Sequence, residues 1–259
     1  MKLNQLRFQT LMDKKLPVVS IITIVYNGVR HIEDTIKSVI TQTYPNIEYI
    51  IIDGNSTDGT QEVIKRYEHK IARWISEKDR GISDAFNKGI AMASGALIGM
   101  INADDWYEPD AIASVVANYT DNNTIICGNV KLYNNDVRFN IKRSSLLKIR
   151  REMTVWHPGM FVPSELYKEV GSYDERYKVL MDYDFVVRCV LHGVNFRFVN
   201  INISSMRAGG VSNRLISKSM MESLDIKNRY FGRNLMHKID FVFFSVYYQT
   251  VIFLKRLLY

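Results

Sequence analysis

Strand-like and helix-like segments alternate four times between residues 18 and 106. The apolar runs of strand length are 18–25, 47–52, 72–76 and 96–101, and helical segments follow the first three at 29–41, up to about 69, and at 83–93. In the first helical segment, Ile32, Ile36 and Val39 recur at the spacing of one helix face. Regular alternation of this kind favours a parallel, right-handed, Rossmann-like α/β sheet.

The fourth predicted strand ends abruptly in the sequence Asn102-Ala103-Asp104-Asp105-Trp106. Two adjacent carboxylates do not belong in a hydrophobic core, because an unpaired buried charge is too costly. In open α/β sheets, ligands bind in the crevice at the carboxyl ends of the strands. A divalent cation that bridges a carboxylate and phosphate oxygens would explain acids at this position. The alternative is an acidic loop that caps the helix following Pro109.

The remaining segments predict a second half that covers and extends this sheet. A helix is predicted at 110–119, a strand pair at 124–130 and 137–141, a helix that ends near 191, and a strand at 194–203. Residues 142–151 are basic and poorly patterned, which indicates a mobile surface loop. Residues 204–213 contain Arg207 and the pair Gly209-Gly210, and they are predicted to form a flexible loop.

The charge balance narrows the class of partner. The chain carries 34 Lys and Arg against 27 Asp and Glu, and this net charge of +7 indicates an anionic partner. The basic residues concentrate in the C-terminal tail and in one loop, without the interleaved aromatic residues of a nucleic-acid recognition motif. We therefore expect that nucleic acid is not a partner of this protein. Neither a dinucleotide-binding fingerprint nor a phosphate-loop motif follows the first strand, which argues against a dehydrogenase or an ATPase.

Cysteine usage and the apolar patterning predict the compartment. Cys127 and Cys189 lie in apolar segments without metal-like spacing, so we expect buried free thiols in a reducing compartment. The first residues do not follow a signal-peptide pattern, and no stretch reaches the roughly 20 apolar residues that cross a bilayer. These features predict a cytoplasmic protein.

Four short motifs stand at the ends of the predicted strands, and a fifth comes later in the chain. They are SIITIVYN at 20–27, DGNSTDGT at 53–60, EKDRGISDAFNKG at 77–89, NADDW at 102–106 and MDYDFVVR at 181–188. In order and spacing they resemble glycosyltransferase family 2, over roughly residues 18–213. The resemblance implies a GT-A fold and an inverting enzyme that uses a nucleotide-sugar donor with Mn²⁺ or Mg²⁺. The NADD variant is similar to that of bacterial enzymes that build O-antigen or capsule repeat units on a lipid carrier.

The resemblance assigns donor-site roles to residues near the strand ends. The predicted nucleotide-sugar-binding residues are Thr23, Tyr26, Asn27, Asp53, Asp79, Arg80, Asp84, Asn102, Ala103, Asp104 and Arg207. Tyr26 can stack on a nucleobase, and the Asp53 carboxylate can accept a hydrogen bond from the imide N–H of uracil, although Asp53 can also simply form an Asx turn. The family usually has an aspartate where this chain has Asn102. The metal-ligand role therefore falls on Asp104, with Asp105 as its helper.

For the transfer step, the resemblance implies a carboxylate base in the motif at 181–188. Asp182 matches the family's base position and begins a predicted helix, whose N-terminus favours the ionised form. Asp184 is the alternative base, since strand-like spacing would place both acids on one side. Both acids can also serve only to begin the helix. Trp156 and His157 are predicted on the acceptor side, and Arg207 is predicted to close on the diphosphate as part of a lid.

The predicted domain organisation is a GT-A unit over 1–213 with a C-terminal appendage. The nucleotide-sugar half spans about 18–106, and the acceptor and catalytic half spans about 107–213. Residues 214–259 are predicted as basic and aromatic helices. The helix at 239–258 suits a membrane interface, and the alternatives for it are packing against the core or a contact between subunits of a homo-oligomer.

These expectations combine into one predicted function. It is a metal-dependent inverting hexosyltransferase that moves a sugar, with glucose favoured, from a UDP-sugar to a hydroxyl of a polyprenyl-diphosphate-linked saccharide. It would be peripheral on the inner face of the cytoplasmic membrane. The alternatives are a catalytically inactive nucleotide-sugar-binding protein and a sugar nucleotidyltransferase. The latter would be expected to have a Gly-rich, Arg-containing loop where this chain has Tyr26-Asn27-Gly28.

Overall fold

The computed structural model describes residues 16–134, 137–209 and 215–235, together with 237, 239, 241 and 242. Part of the predicted turn at 133–136 and nearly all of the predicted helix at 239–258 lie outside these residues. Among the helices that are described, none is long and apolar enough to cross a membrane.

The first half forms the predicted parallel sheet. Its strands are β1 (Val19–Val25), β2 (Ile47–Asp53), β3 (Arg73–Ser76) and β4 (Leu97–Asn102), in the spatial order β3-β2-β1-β4. All three pairings between them are parallel, with Val25 opposite Asp53 and Ile24 opposite Asn102. Because the carboxyl ends of parallel strands share one edge, the loops that carry the first, second and fourth motifs lie side by side.

Helices cover both faces of this sheet. They are α1 (Ile32–Ile40), α2 (Thr60–Arg66), α3 (Ile82–Met92), α4 (Ala111–Asn118), α5 (Ser164–Glu169), α6 (Met181–Leu191) and α7 (Ile216–Phe231). Side chains of β1 alternate between the two cores: Ile21 packs with α1, α2 and α4, whereas Ile22 packs with α3, α5, α6 and α7. This period of two is the usual one for a strand buried on both faces.

The second half extends the sheet with strands of mixed direction. They are β5 (Trp106–Tyr107), β6 (Thr124–Asn134), β7 (Val137–Lys142), β8 (Met160–Pro163) and β9 (Asn195–Arg207), and the order continues as β4-β8-β6-β9-β5 with β7 on β6. Strand β8 is antiparallel to both β4 and β6. The prediction of a loop that starts at residue 204 is wrong, because β9 pairs with β6 as far as Arg207 opposite Tyr133.

The basic segment predicted as a mobile loop instead has an ordered fold against α6. The Ser145 N–H donates to the Thr154 carbonyl over 3.0 Å, which closes the segment into a loop. Ile149 is buried, and the Tyr183 hydroxyl of α6 donates to the Ile149 carbonyl over 2.7 Å. The charged residues of this segment are therefore carried at a fixed place beside the helix that bears Asp182.

Candidate functional site

The loops that follow β1 and β2 are joined by hydrogen bonds at the carboxyl edge of the sheet. The Asn27 N–H donates to Ser56 Oγ over 2.7 Å, and the Thr57 N–H donates to Asn27 Oδ1 over 2.9 Å. Asn27 adopts a left-handed backbone with φ of 49°, a conformation that asparagine tolerates better than most residues. Its neighbour Tyr26 is 70% exposed, so the phenol ring is available to a ligand.

Asp53 is fully buried at the end of β2, and only one of its two carboxylate oxygens is satisfied. The Ser76 hydroxyl and the Ser56 N–H donate to Oδ2 over 2.6 and 3.0 Å. Oδ1 has no hydrogen-bond partner among the described residues. The next residue, Gly54, lies close to two predicted donor-site side chains, because a Cβ there would be 2.8 Å from Asp79 Oδ2 and 3.4 Å from the Tyr26 side chain. A buried acceptor without a donor is costly, so Oδ1 is the oxygen of Asp53 that still lacks a hydrogen-bond donor.

Thr23 and Ala103, which were predicted to bind the nucleotide-sugar, face the protein interior rather than the crevice. Thr23 is fully buried inside the sheet, where its hydroxyl lies 3.1 Å from the Tyr49 hydroxyl. Ala103 is partly buried and packs against the core on the α1 side. Thr23 therefore contributes to the interior rather than to the crevice, and Ala103 contributes packing under the acidic motif.

An ion-pair network holds the acids of the third motif. Lys88 Nζ lies 2.7 Å from Asp79 Oδ1, 2.9 Å from Glu77 and 3.4 Å from Asp84. Burial raises the pKa of Asp79, whereas Asp84, despite burial, has its pKa lowered to about 2 by hydrogen bonds from Arg80 and Lys88. The Arg80 guanidinium lies 2.8 Å from Asp84 and 3.0 Å from Glu175, so it connects the donor half to the segment that leads into α6.

The two acids of the fourth motif have different environments. Asp105 is buried; its Oδ1 accepts the Arg207 N–H over 3.2 Å, and the Asn102 amide approaches Oδ2 at 3.5 Å. Burial raises the pKa of Asp105 well above its ordinary value, and the neighbouring Asp104 charge adds to the effect. Asp104 is partly exposed. Of the pair, Asp104 is the side chain that can reach a ligand.

Arg207 is held against the acidic motif at the end of β9. Its guanidinium donates to the Asp104 carbonyl over 2.7 Å and to Asp34 over 3.1 Å, and it lies 4.7 Å from the centre of the Trp106 ring. Two of these contacts are to the motif at 102–106, and the third is to α1. They fix the position of the motif and leave Arg207 part of the folded strand rather than of a flexible loop.

The carboxylates of this site could hold a divalent cation only together with the phosphate groups of a bound substrate. Within the described part of the chain, no group of three or more His, Cys, Asp or Glu side chains is placed to hold a metal. Asp104 offers one accessible carboxylate, and Asp105 lies behind it with both oxygens engaged. Mg²⁺ and Mn²⁺ are commonly held by one or two carboxylates together with substrate phosphates. Asp104 is the residue that would hold such an ion.

His157 lies between Asn102 of the acidic motif and Asp182. Its Nε2 accepts from the Asn102 amide over 3.2 Å, and its Nδ1 lies 3.8 Å from Asp182 Oδ2. Burial lowers the pKa of His157 to about 4, so the ring is neutral at pH 7. Burial also raises the pKa of Asp182 to about 6, although the Tyr183 N–H donates to it. A carboxylate of this pKa is mostly ionised at pH 7 and can still accept a proton.

Asp184 has no free oxygen to offer. It is fully buried, with Arg188 Nε 2.8 Å from Oδ2 and the Tyr230 hydroxyl donating to Oδ1 over 2.8 Å. Arg188 also donates to the carbonyls of Val170, Gly171 and Ser172. Asp184 thus anchors α6 to the preceding segment and to α7.

Trp156 directly precedes His157 in the chain. The backbone N–H of Trp156 donates to Ser144 Oγ over 3.1 Å, and Lys142 Nζ lies 5.1 Å from the centre of the indole ring. A cation over an indole face is favourable, and here it links the end of β7 to the acceptor-side residues.

Sequence comparison identifies the family to which this arrangement belongs. The family model described as Glycosyl transferase family 2 matches residues 20–168, which is more than half of the chain. The chain belongs to glycosyltransferase family 2. A PGL/p-HBAD biosynthesis glycosyltransferase of Mycobacterium bovis is 27% identical over 221 residues, which cover 82% of this chain and 86% of the relative. An uncharacterized glycosyltransferase of Mycobacterium tuberculosis is 34% identical over 182 residues, 68% of this chain and 70% of the relative.

Solved structures show the same architecture as this family 2 glycosyltransferase. Residues 1–349 of S. aureus TarS in complex with UDP-GlcNAc match with a TM-score of 0.63 at 17% identity, over 81% of this chain and 66% of that one. The mannosyltransferase PcManGT from Pyrobaculum calidifontis, in complex with GDP-Man and Mn²⁺, matches with a TM-score of 0.62 at 17% identity, over 90% and 72%. The chain spans 43% of a longer TarS chain. The predicted GT-A fold is confirmed.

Several residues that shape this glycosyltransferase site were not found from the sequence. They are Ser76, which satisfies Asp53; Lys88, which joins three acids; and Glu222 and Tyr230, which bond the segment around Asp182. Lys88 follows Asp84 at helical i,i+4 spacing, a signal that was available in the sequence. The other three act across more than 20 residues of chain, and no local pattern marks them.

Proposed function

We propose that this glycosyltransferase moves a sugar from a UDP-sugar to an acceptor hydroxyl with inversion at the anomeric carbon. The observation that carries the choice of uridine is the unsatisfied Oδ1 of buried Asp53. Uracil presents an imide N–H to such an oxygen, whereas cytosine presents an acceptor nitrogen and would leave it unsatisfied. Exposed Tyr26 provides a ring surface beside the same crevice.

The proposed transfer is a single displacement. The acceptor oxygen bonds to the anomeric carbon, the bond from that carbon to the diphosphate oxygen breaks, and the acceptor proton passes to Asp182. A positioned base of this kind contributes roughly 10²- to 10⁴-fold. A cation held by Asp104 would supply charge neutralisation on the departing UDP. His157 contacts Asn102 and lies near Asp182, which supports a shared cleft for donor and base.

The experiment that tests this function compares nucleotide binding and turnover. We expect UDP to bind more tightly than CDP by calorimetry, and UDP-sugars to be turned over with Mn²⁺ or Mg²⁺ but not after chelation. Tight binding of UDP-sugars without turnover would favour the catalytically inactive binding protein. Release of pyrophosphate from a sugar phosphate and UTP would favour a nucleotidyltransferase.

The Asp53→Asn variant tests the uridine assignment within this experiment. Ser76 and the Ser56 N–H should keep the amide oxygen of the new side chain, which leaves an N–H₂ at the position of Oδ1. That group is repelled by the uracil imide N–H and suits the acceptor nitrogen of cytosine. We expect the affinity for UDP to fall about tenfold or more, a change of about 1.4 kcal/mol, and the preference for UDP over CDP to be lost.

The matched control is Asp121→Asn, because Asp121 is an exposed aspartate that caps a turn through Asn123 and Thr124. It should bind both nucleotides as the parent does. An equal loss of UDP and CDP affinity in Asp53→Asn would reduce Asp53 to a structural turn residue and contradict the uridine assignment.

The acceptor in our proposal is a saccharide linked through a diphosphate to a lipid, of the kind used for bacterial surface polysaccharides such as O-antigen or capsule. The basic segment at 142–151 supports an anionic membrane surface as the location of the enzyme. It exposes Arg143, Lys148 and Arg150, and it carries Leu147, which is 96% exposed. Ile149 and Tyr183 hold this segment against α6, so the exposed charges lie next to the helix of the proposed base.

We expect the protein to sediment with vesicles that contain phosphatidylglycerol and much less with pure phosphatidylcholine. Each basic residue near an anionic leaflet adds about 1 kcal/mol. The Arg143→Glu, Lys148→Glu double variant should therefore bind the anionic vesicles about tenfold more weakly or worse. The control is Lys65→Glu, Lys70→Glu, which reverses two exposed charges near α2. Equal binding of the anionic vesicles by both variants would contradict the proposal that the basic segment is the membrane-binding surface. A mass measurement of the protein in solution would reveal a homo-oligomer.

A further inference from the structure

Helix α7 holds the backbone that leads into the proposed base. Glu222 of α7 is 7% exposed, and its carboxylate accepts three consecutive backbone N–H groups. The Lys178 N–H donates to Oε1 over 2.8 Å, and those of Val179 and Leu180 donate to Oε2 over 3.0 and 2.8 Å. Helix α6 begins at the next residue, and Asp182 is its second residue.

Two tyrosine hydroxyls form further hydrogen bonds between α7 and the chain on either side of Asp182. The Tyr177 hydroxyl, before α6, donates to Asp225 Oδ2 of α7 over 2.7 Å. The Tyr230 hydroxyl of α7 donates to Asp184 Oδ1 within α6 over 2.8 Å. Ile226 of α7 is fully buried in the core that contains α6. Helix α7 therefore bonds the chain at 177–180 and again at Asp184.

The choice of a carboxylate at position 222 needs a reason beyond packing. A buried charge is costly unless it is well bonded, and this carboxylate is well bonded, because it satisfies three backbone N–H groups that an apolar side chain would leave without an acceptor. A carboxylate that accepts three N–H groups sets the path of three successive residues. Catalysis is sensitive to this, since a shift of about 1 Å in a reacting group can lower the rate by about 10²-fold.

We infer that Glu222 is a positioning residue for Asp182, and that α7 is an integral part of the active site rather than an appended helix. This inference rests on the proposed function in that Asp182 is taken as the base. Glu222 acts through the backbone of 178–180, and its negative charge also helps to raise the pKa of Asp182. Its described side-chain hydrogen bonds all go to that backbone segment.

The test is the Glu222→Gln variant of the full chain. Glutamine keeps the volume of the side chain, but it replaces one accepting oxygen by an N–H₂ group that meets backbone N–H groups. We expect kcat to fall about tenfold or more, while the UDP affinity, the UDP stoichiometry and the donor KM stay within about twofold. Deuterium exchange of the amides at 178–183 should rise at the same time. Glu165→Gln is the control, because the Glu165 side chain is 46% exposed and forms its described ion pair with Lys168.

Tyr177→Phe provides a second variant in case Glu222→Gln does not fold. It removes the hydroxyl that bonds to Asp225 of α7 and keeps the ring. It should lower kcat about two- to fivefold with unchanged UDP binding. Parent-like kcat and parent-like exchange in the variants would overturn the inference. If Asp182→Asn is inactive while Glu222→Gln keeps full kcat, only the positioning role fails. If the parent protein turns over no UDP-sugar, the proposed function fails, and the exchange data still decide whether Glu222 fixes 178–183.

Discussion

Replacement of Asp182 by asparagine is expected to lower kcat by roughly 10² to 10⁴ and to stabilise the fold at pH 7. The first effect follows because an amide cannot accept the acceptor proton. The second follows because burial raises the pKa of Asp182 from 3.8 to about 6, so the folded state disfavours the ionised side chain. The contribution of the Asp182 carboxyl to the free energy of unfolding is therefore fully present below about pH 4, where the group is protonated. It is lost as the pH rises through 6 and the group ionises.

The size of the stabilisation is bounded by the pKa shift. A shift of about two units corresponds to at most about 3 kcal/mol at pH 7, and relaxation of the variant will reduce it. Urea denaturation of the parent and of Asp182→Asn at pH 7 should show a gain of about 1 to 3 kcal/mol that disappears near pH 4. In the parent, kcat should fall as the pH is lowered through 6, since the base becomes protonated.

Two outcomes would contradict the assignment of Asp182 as the base. One is an Asp182→Asn variant with parent-like kcat. The other is a kcat of the parent that stays constant between pH 7.5 and 5 while chemistry limits turnover. Asp121→Asn is again a suitable control, because its exposed carboxylate should change neither kcat nor the pH profile.

The Asp184→Asn variant is expected to have the opposite effect on stability. Asp184 is fully buried and pairs with Arg188 at 2.8 Å, so removal of its charge leaves the guanidinium without a counter-ion. Loss of one partner of a buried ion pair typically costs about 3 to 5 kcal/mol. For a chain of this size, this corresponds to a fall in Tm of roughly 6 to 20 °C. Urea denaturation and a thermal melt would measure both quantities.

Folded Asp184→Asn protein should bind UDP as the parent does, since the described hydrogen bonds of the Asp184 carboxylate are those with Arg188 and Tyr230. Tyr230→Phe is a milder comparison, because it removes one hydrogen bond and keeps the ion pair. Parent-like stability of Asp184→Asn together with loss of turnover would reverse the roles that we assign to the two acids.

The contrast between these two acids shows why the sequence could not separate them. Strand-like spacing would place both on one side, but α6 is a helix, in which two positions differ by about 200° around the axis. Asp182 therefore faces His157, whereas Asp184 faces Arg188 and α7. Only the type of the local element and its neighbours decide which acid is accessible.

The sequence by itself determined the parallel sheet and the positions of the motifs at its carboxyl edge. Those features depend on local periodicity, which is carried by neighbouring residues. Tertiary structure alone decided that Asp105 is buried behind Asp104, that β9 continues to Arg207, and that the basic segment at 142–151 packs on α6. It also decided that Glu222 bonds the segment before Asp182. These facts depend on contacts between residues far apart in the chain, and burial and partner choice at such distances have no local signature.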